Sequence, residues 1–153
     1  MAIGKILNVP YREIPNEFDF TRTSTSDWIT AGINTGNTAF WSITYGVKIH
    51  FSRIDSGSAS ITSVDTFSIR SNSAKLVLQG SQQNNHGTTT TYVYVSTDNG
   101  SNWTSVASTT SLTPSFNIDL STYKGLTLKF RVAYSFSQNE TQNFDITNMK
   151  LTY

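Results

Sequence analysis

The chain has no cysteine, and only 14% of its 153 residues are charged. The first absence excludes disulfides and thiol catalysis and leaves the redox compartment open. The second lies well below the usual ~25%. With a formal net charge of +1, no basic excess is left for nucleic acid, whose phosphates need clustered Lys and Arg. The longest apolar runs fall far short of the ~20 residues of a membrane-spanning helix, so no membrane insertion is expected. The opening stretch from Met1 to Pro10 has no sustained apolar region followed by a small-residue cleavage site, and it does not read as a secretory signal. It fits either a whole product made in a cytoplasm or an excised domain.

What is present is hydroxyl and amide. There are 23 Thr, 21 Ser and 13 Asn, beside 12% aromatics. Ser, Thr and Asn compete with a helix for its backbone, whereas Thr and aromatic rings pack well on pleated faces. The length suits one domain with a real core. Period two recurs along the chain and marks strands. Trp41, Ile43, Tyr45, Val47, Ile49 and Phe51 alternate with polar residues, as one long strand kinked at Gly46. Ile61, Val64, Phe67 and Ile69 suggest one or two short strands, and Lys75–Gln79 a buried one. Leu126, Leu128, Phe130, Val132, Tyr134 and Phe136 form the cleanest inward face. Between Phe144 and Tyr153 the phase changes, which a bulge near Thr147–Asn148 would reconcile. Many strands with turn signals and no helix predict an all-β fold, an antiparallel jelly-roll β-sandwich over 21–153. Residues 1–20 are expected to form an extended N-terminal arm. Pro10 and Pro15 disfavour helix there, and Ile3, Ile6, Leu7, Val9, Tyr11 and Ile14 are its apolar anchors.

One local stretch is more specific. Ser96-Thr97-Asp98-Asn99-Gly100-Ser101-Asn102-Trp103 separates two strand-like runs. Asp98 can bond nearby backbone, and Asn99-Gly100 supplies positive φ cheaply. Trp103 is expected to fold back and pin the hairpin to the sandwich, with a loss of about 3–5 kcal/mol on truncation if buried. Read as S-x-D-x-G-x-x-W, the stretch resembles the Asp-box hairpin of sialidases and secreted adhesive modules. A single copy in so short a chain argues against a propeller. Together with Phe116–Gly125, the strand Leu126–Tyr134 and the closing Phe144-Asp145-Ile146, it resembles the cleaved-adhesin, MAM-like and galactose-binding-like jelly rolls. That resemblance implies an adhesive module. It also raises a structural calcium between Glu17 or Asp19 and Asp145, although Asp145 stands where relatives often show paired acids.

No acid pair is marked for glycoside hydrolysis, no serine elbow or phosphate loop occurs, and His50 and His86 are too few for zinc. No catalytic residue, metal ligand or required cofactor is assigned, and no enzyme is expected. Binding fits better, because sugar sites combine aromatic faces with amide side chains. The polar loop Gly80–Thr90 offers Gln82, Gln83, Asn84, Asn85 and His86, and Trp28 and Trp41 are the candidate faces, although an aromatic in a sandwich is core more often than platform. Two functions compete. One is an accessory protein on a phage virion surface, a capsid decoration or tail component made in the host cytoplasm. Its arm would dock on virion proteins or its own copies, with weak binding of cell-surface glycan. The alternative is a carbohydrate-binding or adhesion module of an extracellular protein.

Overall fold

A computed structural model describes residues 16–31, 39–46, 48–53, 57–83, 88–136 and 142–153. Among these residues the chain forms twelve strands: β1 (Glu17–Asp19), β2 (Trp28–Ala31), β3 (Ala39–Thr44), β4 (Lys48–Arg53), β5 (Gly57–Ser63), β6 (Phe67–Ser68), β7 (Lys75–Gln83), β8 (Thr89–Ser96), β9 (Thr104–Thr109), β10 (Ser115–Asp119), β11 (Thr127–Phe136) and β12 (Gln142–Thr152). Short 3-10 turns at Phe20–Arg22, Thr25–Asp27 and Ser121–Tyr123 join some of them.

The strands make two sheets, and every recorded pairing is antiparallel. The first runs β10-β7-β12-β4-β3, with β1 also on β12. The second runs β2-β5-β11-β8-β9, with β6 also on β11. This is the jelly-roll β-sandwich expected from the alternation.

The core lies between the sheets because each strand sends alternate residues inward. Leu76, Leu78, Ile49, Phe144, Ile146, Met149 and Leu151 come from the first sheet. Ile61, Val93, Val95, Leu128, Phe130, Val132 and Tyr134 come from the second. Tyr134 stacks on Phe144 across the sandwich, with centroids 5.1 Å apart and planes at 5°. Burial pushes the Tyr134 phenol up to about 12. Gln82 and Thr91 add a buried polar tie: the Thr91 hydroxyl donates to Gln82 Oε1 at 3.2 Å, and Gln82 Nε2 donates to the Ser111 carbonyl.

Four expectations change here. The run from Trp41 to Phe51 is a hairpin and not one strand. The chain reverses at Tyr45-Gly46, where Gly46 takes φ 70°, and Ile43 then faces Ile49. β7 continues through Gly80 to Gln83, so the polar loop is shorter than expected. The glycine at position 80 is required by close approach, because a Cβ there would lie 2.5 Å from the Asp145 carbonyl oxygen. The sandwich also starts before residue 21: β1 pairs with the end of β12, and Phe20 is 1% exposed. The Phe20 ring lies 4.9 to 5.9 Å from Phe18, Phe67, Trp28 and Phe130. The arm anchors Ile3, Ile6, Leu7, Val9, Tyr11 and Ile14 lie outside the described residues. Trp28, expected as a ligand face, is instead 6% exposed against Phe20, and its Nε1 donates to Thr23 Oγ1 at 2.8 Å. The bulge expected near Thr147–Asn148 is present, as a register shift of β12 on β7 between Ile146 and Asn148.

Phe20 sits at the centre of the aromatic end of the core. Phe20→Ala is expected to lower stability by about 3–5 kcal/mol in urea unfolding. A loss under about 1 kcal/mol would mean that residues before 21 are dispensable to the fold.

Candidate functional site

The Ser96–Trp103 hairpin closes on its own polar groups. Asn99 and Gly100 take positive φ, 59° and 96°. The Ser96 hydroxyl accepts from Gly100 N at 2.8 Å and donates to Asp98 Oδ1 at 2.7 Å. Asp98 also accepts from Asn102 N at 2.8 Å and Asn102 Nδ2 at 2.7 Å. Bonds from Asn102 and then Ser96 hold the Asp98 carboxyl down at about 2, against an ordinary value of 3.8. Every acceptor site of Asp98 that these bonds fill serves the turn, which makes it a structural residue.

Trp103 leaves the hairpin on a different course from the one expected. It does not enter the core. It lies half-buried, with the Arg131 guanidinium carbon 4.0 Å from its ring centroid. Its edge passes so near Gly100 that a Cβ there would be 3.4 Å from Cζ2. Arg131 is held in turn by Thr62, to whose Oγ1 its Nε donates at 3.0 Å. Burial lowers the Arg131 pKa, and Tyr94 opposes that shift. The guanidinium stays charged, since arginine starts so high.

Arg131, Tyr94 and Thr62 belong to one row on the outer face of the second sheet. Across the strands the row reads Ile29, Thr62, Arg131, Tyr94, Ser105. The next row reads Ala31, Ser60, Ala133, Tyr92, Ser108. Tyr92 and Tyr94 alternate with the buried Val93 and Val95 and are half-buried themselves. Their rings stack with centroids 5.9 Å apart and planes at 25°. Beside them, Ala133 and Ser60 are small, so the tyrosines stand above their neighbours. Ile29, 55% exposed, rises on the far side. The tyrosine pair thus stands as a low wall beside the small Ala133 and Ser60, with a fixed guanidinium in the next row, and this strip of the outer face is called the trough. Chemically it offers apolar ring surface, hydroxyls that both donate and accept, and a cation that only donates.

Sequence reasoning passed over Tyr92, Tyr94 and Arg131, although the signal was there. Thr91-Tyr92-Val93-Tyr94-Val95 puts two tyrosines on one face and two valines on the other. Of the residues that were singled out, Gln82 is buried and engaged with Thr91 and Ser111, so its amide is structural. Gln83 is placed only by its backbone, opposite Asn143. Asn84, Asn85 and His86, and the Trp41 side chain, lie outside the described residues. The acids proposed for calcium go elsewhere: Glu17 meets Lys150 at 3.2 Å, Asp19 binds Thr21 and Arg22, and Asp145 binds His50 and Lys48. Among the described residues no three Asp, Glu, His or Cys side chains converge as metal ligands. No helix among them is long and apolar enough to cross a membrane.

With this geometry in place, the fold can be set beside known structures. TmCBM61, in complex with β-1,4-galactotriose, matches with a TM-score of 0.55 at 14% identity, over 94% of this chain and 98% of that one. A variant of CBM29-2, a family 29 carbohydrate-binding module, gives 0.53 at 12%, over 88% and 83%. A Xylanase10C variant from Cellvibrio japonicus, in complex with xylopentaose, gives 0.55 at 11%, over 90% of this chain and 28% of that one. The chain therefore has a β-sandwich fold shared with carbohydrate-binding modules. No family model and no curated protein matches it. The virion reading gains no support from these likenesses.

Two outcomes test the hairpin. Trp103→Ala should cost about 1–2 kcal/mol in urea unfolding, the scale of a half-exposed ring with a cation on its face; 3 kcal/mol or more would mean a core residue. The Asp98 pKa is depressed on folding, so its contribution is complete above the unfolded value and is lost as pH falls through about 2. The Tm gap between wild type and Asp98→Asn should accordingly be full at about pH 6 and shrink towards about pH 2. A gap independent of pH would contradict the hydrogen bonds assigned to the carboxylate.

Proposed function

We propose that this domain is a non-catalytic carbohydrate-binding module that seats a polysaccharide chain in the trough on the outer face of the second sheet. The observation that carries the reading is the Tyr92–Tyr94 stack standing beside the small Ala133 and Ser60, with Arg131 fixed in the next row. A pyranose ring has an apolar C–H face and a rim of hydroxyls. The tyrosine rings suit the first, and Arg131 with the Ser and Thr hydroxyls suits the second. The shared fold of the modules above supports the same class of ligand. The sugars of the similar structures, β-1,4-galactotriose with TmCBM61, mannohexaose with a CBM29-2 variant and xylopentaose with the Xylanase10C variant, give the first panel to try. Such a role belongs outside the cell, where polysaccharide is met.

The test is affinity electrophoresis and calorimetry on β-1,4-linked galactan, mannan and xylan. Binding to at least one is expected, with a loss of at least about 10-fold in Tyr92→Ala/Tyr94→Ala, since each aromatic contact is worth about 0.5–1.5 kcal/mol beyond its area. The double variant should keep its Tm, because both rings lie outside the core. No binding at millimolar concentration, or undiminished binding by the folded double variant, would contradict the proposal.

A further inference from the structure

The outer face of the other sheet carries a second set of polar groups. Three adjacent strands build it. β12 contributes Asn143 and Asp145, β4 contributes Lys48 and His50, and β7 contributes Ser81. The register brings His50 and Ser81 to either side of Asp145. These residues, with Gln82 at the edge, line an open pocket of about 460 Å³. That is within the roughly 300–1,000 Å³ of small-molecule sites. Gly80 helps to make it: with no Cβ, β7 can close on the Asp145 carbonyl, which a side chain would meet at 2.5 Å.

Asp145 is the organiser. Its Oδ1 lies 2.5 Å from His50 Nδ1, and its Oδ2 lies 3.3 Å from Lys48 Nζ. A carboxylate only accepts, so the histidine donates through Nδ1, which fixes its ring. The three side chains are 21–38% exposed, held against the sheet yet open to solvent. The donor and acceptor content of the cluster is the guide. Two carboxylate oxygens have capacity for about four bonds, and an ammonium has three donors. An amide and a hydroxyl stand next to them. Adjacent hydroxyls that each donate and accept match this set. A free anion matches it less well, because Asp145 already neutralises the cationic charge beside it.

We propose that the Lys48, His50, Ser81, Asn143 and Asp145 pocket is a second sugar subsite, which takes the vicinal diol of a single pyranose unit. The domain is then bivalent, with a trough for a chain on one face and a diol pocket on the other. Two sites on opposite faces let one domain bridge two chains, and on a dense polysaccharide surface they raise retention through effective concentration. This shares with the preceding reading only the class of ligand, and each site stands or falls separately.

The experiment is an amide-shift NMR titration of the full chain with the methyl β-pyranosides of galactose, mannose and xylose. It is run on wild type, on Tyr92→Ala/Tyr94→Ala and on Asp145→Asn, with His50→Gln as a second pocket variant should Asp145→Asn fail to fold. Saturable shifts at His50, Ser81 and Asp145 are expected with at least one glycoside in the low millimolar range. They should persist in the tyrosine variant and weaken at least about 10-fold in either pocket variant. Shifts confined to Tyr92, Tyr94 and their neighbours would overturn the second subsite and leave the trough standing. Shifts at the pocket given by sodium phosphate or galacturonate, and by none of the neutral glycosides, would overturn it in favour of an anion site. No shift at the pocket with any probe would overturn it outright.

Discussion

The pairing of β8 with β11 is the constraint from which the rest follows. Val132 lies opposite Val93, Phe130 opposite Val95, and Arg131 opposite Tyr94. The first two pairs enter the core, with all four residues 1% exposed or less. The third then has to face outward, because successive side chains on a strand point to opposite sides. A slip of one residue would bury Arg131 and the tyrosines and expose the valines, at a cost of several kcal/mol in lost apolar burial alone. The register that closes the core is thus the register that raises the tyrosine wall. Core and trough are two faces of one hydrogen-bonded ladder.

The hairpin beyond β8 extends this logic. Ser96 and Asp98 bring the chain back at a fixed angle, and Trp103 emerges on the outer side, over Arg131. A tryptophan in the core is worth about 3–5 kcal/mol, whereas one under a guanidinium is worth about 0.5–2. The weaker placement prevails because the core position is already taken: Phe130, Phe20, Phe67 and Trp28 fill that end of the sandwich. What Trp103 does instead is hold the Arg131 head in place, with Thr62 on its other side. A cation fixed in this way loses little freedom when a ligand arrives, which is the condition for a hydroxyl contact to add affinity.

Much of the fold could be read from alternation. β11 was legible from Leu128 to Phe136, and the bulge in β12 was legible because its inward set changes phase after Ile146. The Tyr45-Gly46 reversal was not. With Thr44 paired to Lys48, three positions separate the two strands, so residues of equal parity stay on one face and the alternation runs through the turn unbroken. Gly80 opens a polar stretch that reads as a loop; its reason here is contact with Asp145 on β12, which is far away in the chain. Trp28 shows the limit for single aromatics, since nothing local separates a core ring from an exposed one. The tyrosine wall was legible in principle, from two Tyr and two Val in alternation. The grouping of His50, Lys48 and Asp145 was not, because it depends on which distant strands become neighbours.

The central claim is that the Tyr92–Tyr94 wall is where a sugar chain lies. Intermolecular nuclear Overhauser effects test it most directly, with a bound oligosaccharide drawn from whichever of the three β-1,4-linked polymers is retained. The account predicts transfer from pyranose C–H protons to the ring protons of both Tyr92 and Tyr94. Saturating ligand that gives transfer to other aromatic rings and none to these two would contradict it.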